Sequence, residues 1–357
     1  MKKRLTRLSP VTRSNALTYG LVIVAYFALQ LLQGGGLLSS SLKGQLVPIC
    51  AYIVMAVSLN LTVGVMGEMS LGHAGFMSVG AFTGVIAAAA LGSAVPMGGL
   101  RLVFSLAIGG ICAGLISLIV VIPVLRLRGD YLAIVTLAFG EIIKNIVNCL
   151  YVGLDSAGLH FGMTDVAALG LAEGGKVLVQ GPMGAVGVAK LSTLTAGFVL
   201  ILFTLLVVLN FIHSRAGRAV MALRDNRIAA ESLGVSPARY KIMAFVTSAA
   251  LAGMAGALFA MNFSTVAAKK FDFNTSILVL VFVVLGGMGN IRGSILAATA
   301  LTVLPELLRD FADYRMLVYA IVLILVMLLR NNPTLKALPE RAKAAIFTKK
   351  SPKKEAV

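Results

Sequence analysis

The chain has 357 residues, of which 59% are hydrophobic and 13% are charged, and its mean hydropathy is +0.95. A soluble domain carries about 25% charged residues, so this composition excludes an ordinary soluble protein. Apolar windows of bilayer length recur, and they are continuous rather than alternating, which favours transmembrane helices over a membrane β-barrel. The net charge of +17 is concentrated at the two ends and in a central loop, which indicates membrane topology and contact with anionic lipid, and no nucleic-acid binding.

We predict an all-α fold, a polytopic integral membrane helical bundle of about ten transmembrane helices with one or more broken helices. Residues 1–18 form a basic N-terminus without a cleavage site, so the first span is expected to stay uncleaved. The transmembrane domain covers residues 19–330, and residues 331–357 form a basic tail. The predicted spans are residues 19–38, 46–65, 70–91, 102–122, 131–151, 191–212, 242–263, 277–285, 295–308 and 317–329.

The basic clusters predict the orientation of these spans, because short loops rich in Lys and Arg favour the cytoplasm. With ten spans, the N-terminus, the loop at Arg126 and Arg128, the loop at residues 213–241 and the tail all fall on one side. Both termini are therefore expected to be cytoplasmic. Residues 152–190 are less hydrophobic and rich in Gly, and they are expected to form an external loop partly folded onto the bundle.

Residues 60–84, NLTVGVMGEMSLGHAGFMSVGAFTG, interrupt the apolar pattern with polar side chains and glycines. Irregular backbone at membrane depth is stable only where protein or a water-filled cavity satisfies it. One interpretation is a broken helix that borders a transport path, with Asn60, Glu68 and His73 as path residues. The other is a tight cytoplasmic turn with Glu68 and His73 in solvent. A second Gly-rich stretch, residues 286–294 with Arg292, is expected to be a cytoplasmic or half-embedded turn.

The predicted fifth span contains Thr136, Glu141, Lys144 and Asn145 at helical spacing. Charged side chains inside a membrane are costly and usually face a bundle interior or a cavity. Glu141 lies about eleven residues beyond Asp130, roughly 16 Å along a helix and so near the middle of a bilayer. Thr136, Glu141 and Asn145 are therefore candidate path residues. A purely structural ion pair between Glu141 and Lys144 is equally compatible with the sequence.

The loop at residues 213–241 is basic and lies between two membrane-length apolar runs, which favours a cytoplasmic position. Asp225 is predicted to cap a short helix over residues 228–233, Gly234 to end it in a left-handed conformation, and Pro237 to prevent its continuation. Such a helix suits docking into a groove of another protein, and an interfacial helix on anionic lipid is the alternative. The candidate docking residues are Arg224, Asp225, Asn226, Ile228, Ala229, Ala230, Glu231 and Gly234.

The sequence carries no recognisable catalytic motif. No G-x-x-x-x-G-K-[ST] phosphate loop occurs, so ATP hydrolysis by the usual P-loop route is not expected in this chain. The three histidines are scattered, and the three cysteines lack metal-ligand spacing. We therefore predict a protein that is not an enzyme and that holds no metal or cofactor of its own. If ATP drives its activity, ATP and Mg²⁺ would be bound by a partner ATPase.

Several segments resemble the permease subunits of bacterial branched-chain amino acid ABC importers, and within that group the LivM type. They are SLNLTVGVMGEMSLGHAGFMSVGAF, LRLRGDYLAIVTLAFGEIIKNIV, GRAVMALRDNRIAAESLGV and LVFVVLGGMGNIRGSILAA. The string LRGDYLAIVTLAFGEI is the most specific, because the sister LivH-type permease differs there. The resemblance extends over about residues 60–308.

This resemblance implies a bacterial cytoplasmic-membrane complex with a second, LivH-like permease, two cytoplasmic P-loop ATPases and an extracytoplasmic substrate-binding protein. The chain would form half of the translocation path, and residues 213–241 would be the loop that couples it to an ATPase. Ala229, Ala230 and Gly234 match the A-A-x-x-x-G core of the coupling motif of ABC importers, while Ile228 stands where that motif has Glu. The binding protein would set most of the substrate specificity.

Two other functions stay open at this point. A permease of a urea or short-amide importer is a close relative, and nothing in the sequence separates its substrate from leucine. An ion-coupled secondary transporter would also show broken helices and an intramembrane Glu. It would not need the docking helix, however, and it should show stronger internal repeats.

Overall fold

The structure of the protein is a computed structural model that describes residues 10–35, 39–92, 94–124, 131–155, 158–171 and 174–308, together with residues 317, 320, 321 and 324. The described residues up to Thr302 belong to one compact unit, and those from Val303 belong to a second one. The basic segments at residues 1–9 and 331–357, the loop at Arg126 and Arg128 and nearly all of the predicted tenth span lie outside the described residues.

Helices account for most of the described chain, as predicted. Seven helical segments of this part are long and apolar enough to cross a membrane, and they correspond to the first seven predicted spans. The predicted eighth and ninth spans have only 14 and 17 helical residues, fewer than the roughly 20 that a bilayer crossing needs. The helices are α1 Pro10–Gly34, α2 Ser40–Asn60, α3 His73–Ala90, α4 Gly98–Val124, α5 Tyr131–Asn148, α6 Leu194–His213, α7 Arg215–Asp225, α8 Arg227–Ser232, α9 Pro237–Ala260, α10 Phe273–Gly286 and α11 Ile291–Leu307.

The centre of the bundle is α9, against which α2, α3 and α4 pack. Glycines let these backbones approach closely. A Cβ atom on Gly80 would lie 2.0 Å from the carbonyl oxygen of Gly253, and one on Gly256 would lie 1.9 Å from that of Met77. Helices in a membrane associate through such van der Waals contact, because lipid is as apolar as the side chains and supplies no hydrophobic driving force.

The connection from α2 to α3 is a broken helix. The end of α2 continues as a π-helical turn, Leu61–Met66, and stops at Gly67, which is left-handed with φ 77°. Residues 68–72 are irregular until α3 begins at His73. The π-helical turn is fully buried and His73 is only 2% exposed, so protein encloses the break. The predicted break in the helix is confirmed, whereas its position beside a transport path stays a prediction. The alternative that placed His73 in solvent is wrong.

The segment after α5, predicted as an external loop partly folded onto the bundle, contains most of a small antiparallel sheet. Its strands are β1 Tyr151–Asp155, β2 Gly158–Gly162, β3 Lys176–Gln180, β4 Ala185–Val186 and β5 Thr265–Val266. Their order is β2-β1-β3-β4-β5, and β1 pairs with β2 from Tyr151 opposite Gly162 to Asp155 opposite Gly158. Strands of five residues or fewer give a weak pattern beside long apolar helices, so the sequence did not predict them. The 20-residue helix α6 leads away from this sheet to α7, roughly 30 Å along its axis.

Candidate functional site

Two helices fill most of the segment that was predicted to be a loop at residues 213–241. The first, α7, begins after Ser214, whose hydroxyl oxygen accepts a hydrogen bond from the Gly217 amide at 3.1 Å. It packs against α9 and the π-helical turn. The second, α8, follows after a single residue and ends well before Pro237. That proline is the first residue of α9, where its fixed φ suits a helix start.

The residue that caps α8 is Asn226, and the prediction of Asp225 was wrong. The side-chain oxygen of Asn226 accepts a hydrogen bond from the Ala229 amide at 3.0 Å, and its backbone is extended with φ −153°. Asp225 is the last residue of α7, and its carboxylate accepts two hydrogen bonds from the Arg224 guanidinium. Asp and Asn are equally good caps, so only the point at which the backbone leaves the helix decides between them. For the same reason α8 covers Arg227–Ser232, one residue earlier than predicted.

Two large apolar side chains, Ile228 on α8 and Leu233 directly after it, are uncovered. Ile228 and Leu233 are 82% and 84% exposed, more than any other large apolar side chain of the described residues. Ala230 is buried beneath them, and Glu231 is paired with Arg227 at 2.6 Å. Gly234 adopts φ 81° and ends this segment, as predicted. Exposed apolar patches mark sites that contact another protein or a membrane, so this surface is compatible with both the predicted docking helix and the interfacial helix.

Asn60 joins the two Gly-rich stretches of the sequence. Its side chain is 1% exposed, accepts a hydrogen bond from the Gly289 amide at 2.8 Å and donates one to the Ser294 hydroxyl at 2.9 Å. Gly64 lies against the same turn, where an added Cβ would be 2.2 Å from the Gly289 nitrogen. Asn60 therefore lies in the packed interior, and its role as a path residue stays a prediction.

His73 and Thr136 hold the beginning of α3 inside the bundle. His73 Nε2 lies 2.9 Å from the Ser58 hydroxyl oxygen on α2. The Thr136 hydroxyl oxygen on α5 accepts a hydrogen bond from the Leu71 amide at 3.1 Å, and a Cβ on Gly72 would lie 2.0 Å from the Thr136 carbonyl oxygen. The start of α3 is thus bound to both α2 and α5. Whether His73 or Thr136 contacts a transported molecule stays a prediction.

Glu68 lies at the α7 end of the broken helix and forms an ion pair with Lys241 in the second turn of α9. The Glu68 and Lys241 side chains are only 19% and 16% exposed, so this pair is mostly shielded from solvent. The sequence did not predict this pair, because Lys241 is one of several basic residues at residues 213–241. The available signal was the opposite charge of two polar segments that the predicted topology places on the same side.

Glu141 and Lys144 form the predicted ion pair on α5. The Glu141 side chain is 36% exposed, and Asn145, Ile142 and Ile146 are also exposed nearby on the helix. Polar groups on a lipid-facing surface are costly, so this face of α5 is better suited to another protein or to a water-filled path than to lipid. Glu141 also borders a small cavity lined by Leu71, Gly75, Leu137, Gly140, Phe271, Asp272, Phe273 and Ser276.

Helices of membrane length around a buried broken helix, with exposed apolar side chains at α8, are the features of a multi-pass membrane protein of the permease class. Residues 42–327 match the family described as branched-chain amino acid transport system / permease component, and the chain belongs to this family. The predicted family is thereby confirmed. No solved structure matches the chain.

Two similar proteins are the high-affinity branched-chain amino acid transport system permease proteins LivM of Escherichia coli (strain K12) and Salmonella typhimurium. The chain is 37% identical to the first over 294 residues and 36% identical to the second over 291 residues. Each alignment covers 78% of this chain and 66% of the relative, so the chain spans about two thirds of the length of these relatives. A fructose import permease protein, FruG of Bifidobacterium longum, is 25% identical over 127 residues, which cover 33% of this chain and 37% of that protein.

Proposed function

We propose that this chain is a permease subunit of an ATP-binding-cassette importer for branched-chain amino acids. It forms half of the translocation path and carries no ATPase of its own; ATP and Mg²⁺ are bound by two cytoplasmic P-loop ATPase subunits. The observation that carries the proposal is the uncovered apolar surface of α8, in a chain whose family is a branched-chain amino acid permease family.

The coupling surface is formed by Ile228 on α8 and Leu233 directly after it, with the basic residues around them. Ala230 is buried, so this small side chain is on the face of α8 that packs against the chain itself. A groove on an ATPase subunit would bury both large apolar side chains, and each would contribute roughly 1.5–3 kcal/mol when fully covered. An interfacial helix lying on lipid would bury the same side chains, so binding of an ATPase has to be tested directly.

The α5 face with Glu141 and Asn145 lies toward a second, LivH-like permease in this proposal. The Glu141–Lys144 ion pair and the exposed Asn145 side chain would then border a path between two subunits rather than lipid. A path of this kind also explains why the bundle keeps two charged side chains in a membrane-length helix.

The distribution of charge supports the proposed orientation in the membrane. The α7–α8 end carries the basic residues Arg215, Arg218, Arg224, Arg227 and Arg239, which favours the cytoplasm of a bacterial cell. Both termini are then cytoplasmic as well, and the small sheet faces the outside, where the extracytoplasmic substrate-binding protein delivers its ligand.

Capture of partners tests the proposal. A tagged full-length chain purified from its native membranes is expected to bring down a P-loop ATPase and a second permease, identified by mass spectrometry. Ala230→Pro should remove the ATPase, because Pro cannot donate the hydrogen bond from the residue 230 amide to the Asn226 carbonyl. A chain recovered alone, or only with itself, would overturn the proposal and favour an ion-coupled secondary transporter.

A charge placed on the coupling surface gives a matched comparison. Ile228→Asp is expected to abolish ATPase capture, whereas Met183→Asp, on a residue that is 64% exposed beside the sheet, should leave it intact. Uptake of radiolabelled leucine and of radiolabelled urea by cells with the unaltered chain then identifies the substrate. Uptake of urea but not leucine would replace the branched-chain assignment with a short-amide importer.

A further inference from the structure

The helices that precede and follow α8 in the chain, α7 and α9, both contact the broken helix. On one side, Arg224 in the last turn of α7 donates a hydrogen bond from Nη1 to the Gly64 carbonyl oxygen at 3.0 Å. On the other side, Lys241 in the second turn of α9 pairs with Glu68. The two contacts reach residues 64 and 68 of one irregular segment, although their partners are more than 150 residues away in the chain.

The Arg224 contact depends on the glycines of the break. Gly67 lies directly under the Arg224 side chain, where an added Cβ would be 2.5 Å from Arg224 Cγ. The left-handed conformation at Gly67, with φ 77°, ends the π-helical turn at this point. A guanidinium that donates to a carbonyl oxygen makes a stronger hydrogen bond than a neutral donor, so this is a firm attachment of α7 to the break.

The Glu68–Lys241 contact is strengthened by its burial. Both side chains are less than a fifth exposed, so salt and water screen the pair less than they would at the surface. Removal of one partner leaves a mostly buried charge, which is far more costly than removal of both. Further along the break, Leu71 and Gly72 contact Thr136 on α5, and Asn60 contacts the second Gly-rich turn.

We propose that these two contacts, Arg224 to Gly64 and Glu68 to Lys241, form a latch that transmits movement of α8 to the broken helix and so to α3 and α5. A force on α8 pulls on the end of α7 and on the start of α9 together, and the latch converts this into displacement of residues 64–72. Glu68 and Lys241 are therefore positioning residues of the transport cycle rather than path residues. This inference rests on the proposed function.

The test uses the whole importer, reconstituted with its ATPases, second permease and binding protein, with radiolabelled leucine uptake and ATP hydrolysis measured together. In the double variant Glu68→Met with Lys241→Met, apolar side chains of similar length fill the space without leaving an unpaired charge. The complex is expected to assemble and hydrolyse ATP, but leucine moved per ATP should fall roughly tenfold, within the range of about 5- to 150-fold typical of coupling between sites.

The single variants and a matched lysine separate a latch from a purely structural pair. Glu68→Met and Lys241→Met should each reduce assembly through the unpaired charge, and the double variant should restore assembly but not leucine uptake per ATP. Lys269→Met, on an exposed lysine near β5, should change neither. Normal uptake per ATP in the double variant would overturn the latch and leave the proposed function standing. An unaltered complex that shows no ATP-dependent leucine uptake would instead remove the proposed function itself.

Discussion

Two adjacent residues, Asp225 and Asn226, show how a helix boundary is decided at the scale of single side chains. Both can cap, but only Asn226 leaves the helical conformation and accepts the Ala229 amide. The Asp225 carboxylate is paired with the Arg224 guanidinium, which also donates a hydrogen bond to the Gly64 carbonyl oxygen. The start of α8 is thus set by the same contacts that join α7 to the bundle.

Asn226→Ala is expected to loosen α8, because an Ala cap costs about 1 kcal/mol relative to Asn. The amides of α8 should then exchange with deuterium roughly fivefold faster, as measured by mass spectrometry on the purified chain. Asp225→Ala should leave these rates nearly unchanged. Equal effects of the two substitutions would contradict the assignment of the cap.

Glu141→Ala is expected to reduce leucine uptake per assembled complex strongly, since the carboxylate borders the proposed path and pairs with Lys144. Ile134→Ala, at a 59% exposed position of the same helix, serves as the matched control and should retain uptake. Uptake in membrane vesicles and recovery of the partner subunits are the two measurements. Unchanged uptake in Glu141→Ala would leave this residue a structural partner of Lys144.

At the scale of elements, the bundle depends on glycines in α3 and α9. Gly256 of α9 faces the Met77 carbonyl oxygen so closely that any side chain must displace backbone. Gly44 in α2 has no neighbour within 4 Å of the position a Cβ would take. Glycine is therefore required for helix packing at Gly256 but not at Gly44, and the spacing of glycines in the sequence does not distinguish the two positions.

Gly256→Ala should destabilise the bundle by about 1–3 kcal/mol, the usual cost of overpacking. Gly44→Ala should be neutral or slightly stabilising, because Ala favours a helix by about 1 kcal/mol over Gly. Thermal unfolding of the detergent-purified chain measures both changes. A lower unfolding midpoint for Gly44→Ala than for Gly256→Ala would show that the close contact of α3 and α9 does not determine the stability of the bundle.

At the scale of the whole molecule, the proposed orientation can be tested with single cysteines. Cys112 and Cys149 are first replaced by Ser, and Cys50 is already buried. Met183→Cys, beside the sheet, should react with a membrane-impermeant maleimide in right-side-out vesicles, and Ile228→Cys only in inverted ones. Both side chains are more than 60% exposed in this chain, so in vesicles without the ATPase subunits the membrane alone limits access. The reverse pattern would place α8 outside and exclude contact with cytoplasmic ATPases.

Much of the architecture could be predicted from the sequence, because membrane insertion depends on local properties of each segment. The length and apolarity of a segment decide whether it spans, so the first seven predicted spans correspond to helices of the structure. The broken helix was predictable because polar and Gly residues in an apolar region need special surroundings. The Glu141–Lys144 pair was predictable because three-residue spacing places both side chains on one helix face.

The contacts between residues far apart in the chain were decided only by the tertiary structure. The Glu68–Lys241 pair, the bonds of Asn60 to Gly289 and Ser294, and the pairing of β4 with β5 all join distant segments. Each sequence pattern offers several partners of the right chemistry, and packing of α9 between α2, α3 and α4 selects among them. The sequence by itself therefore determined the class, the family and most of the spans, whereas the connection between α8 and the broken helix was decided by packing, because it depends on which helices meet.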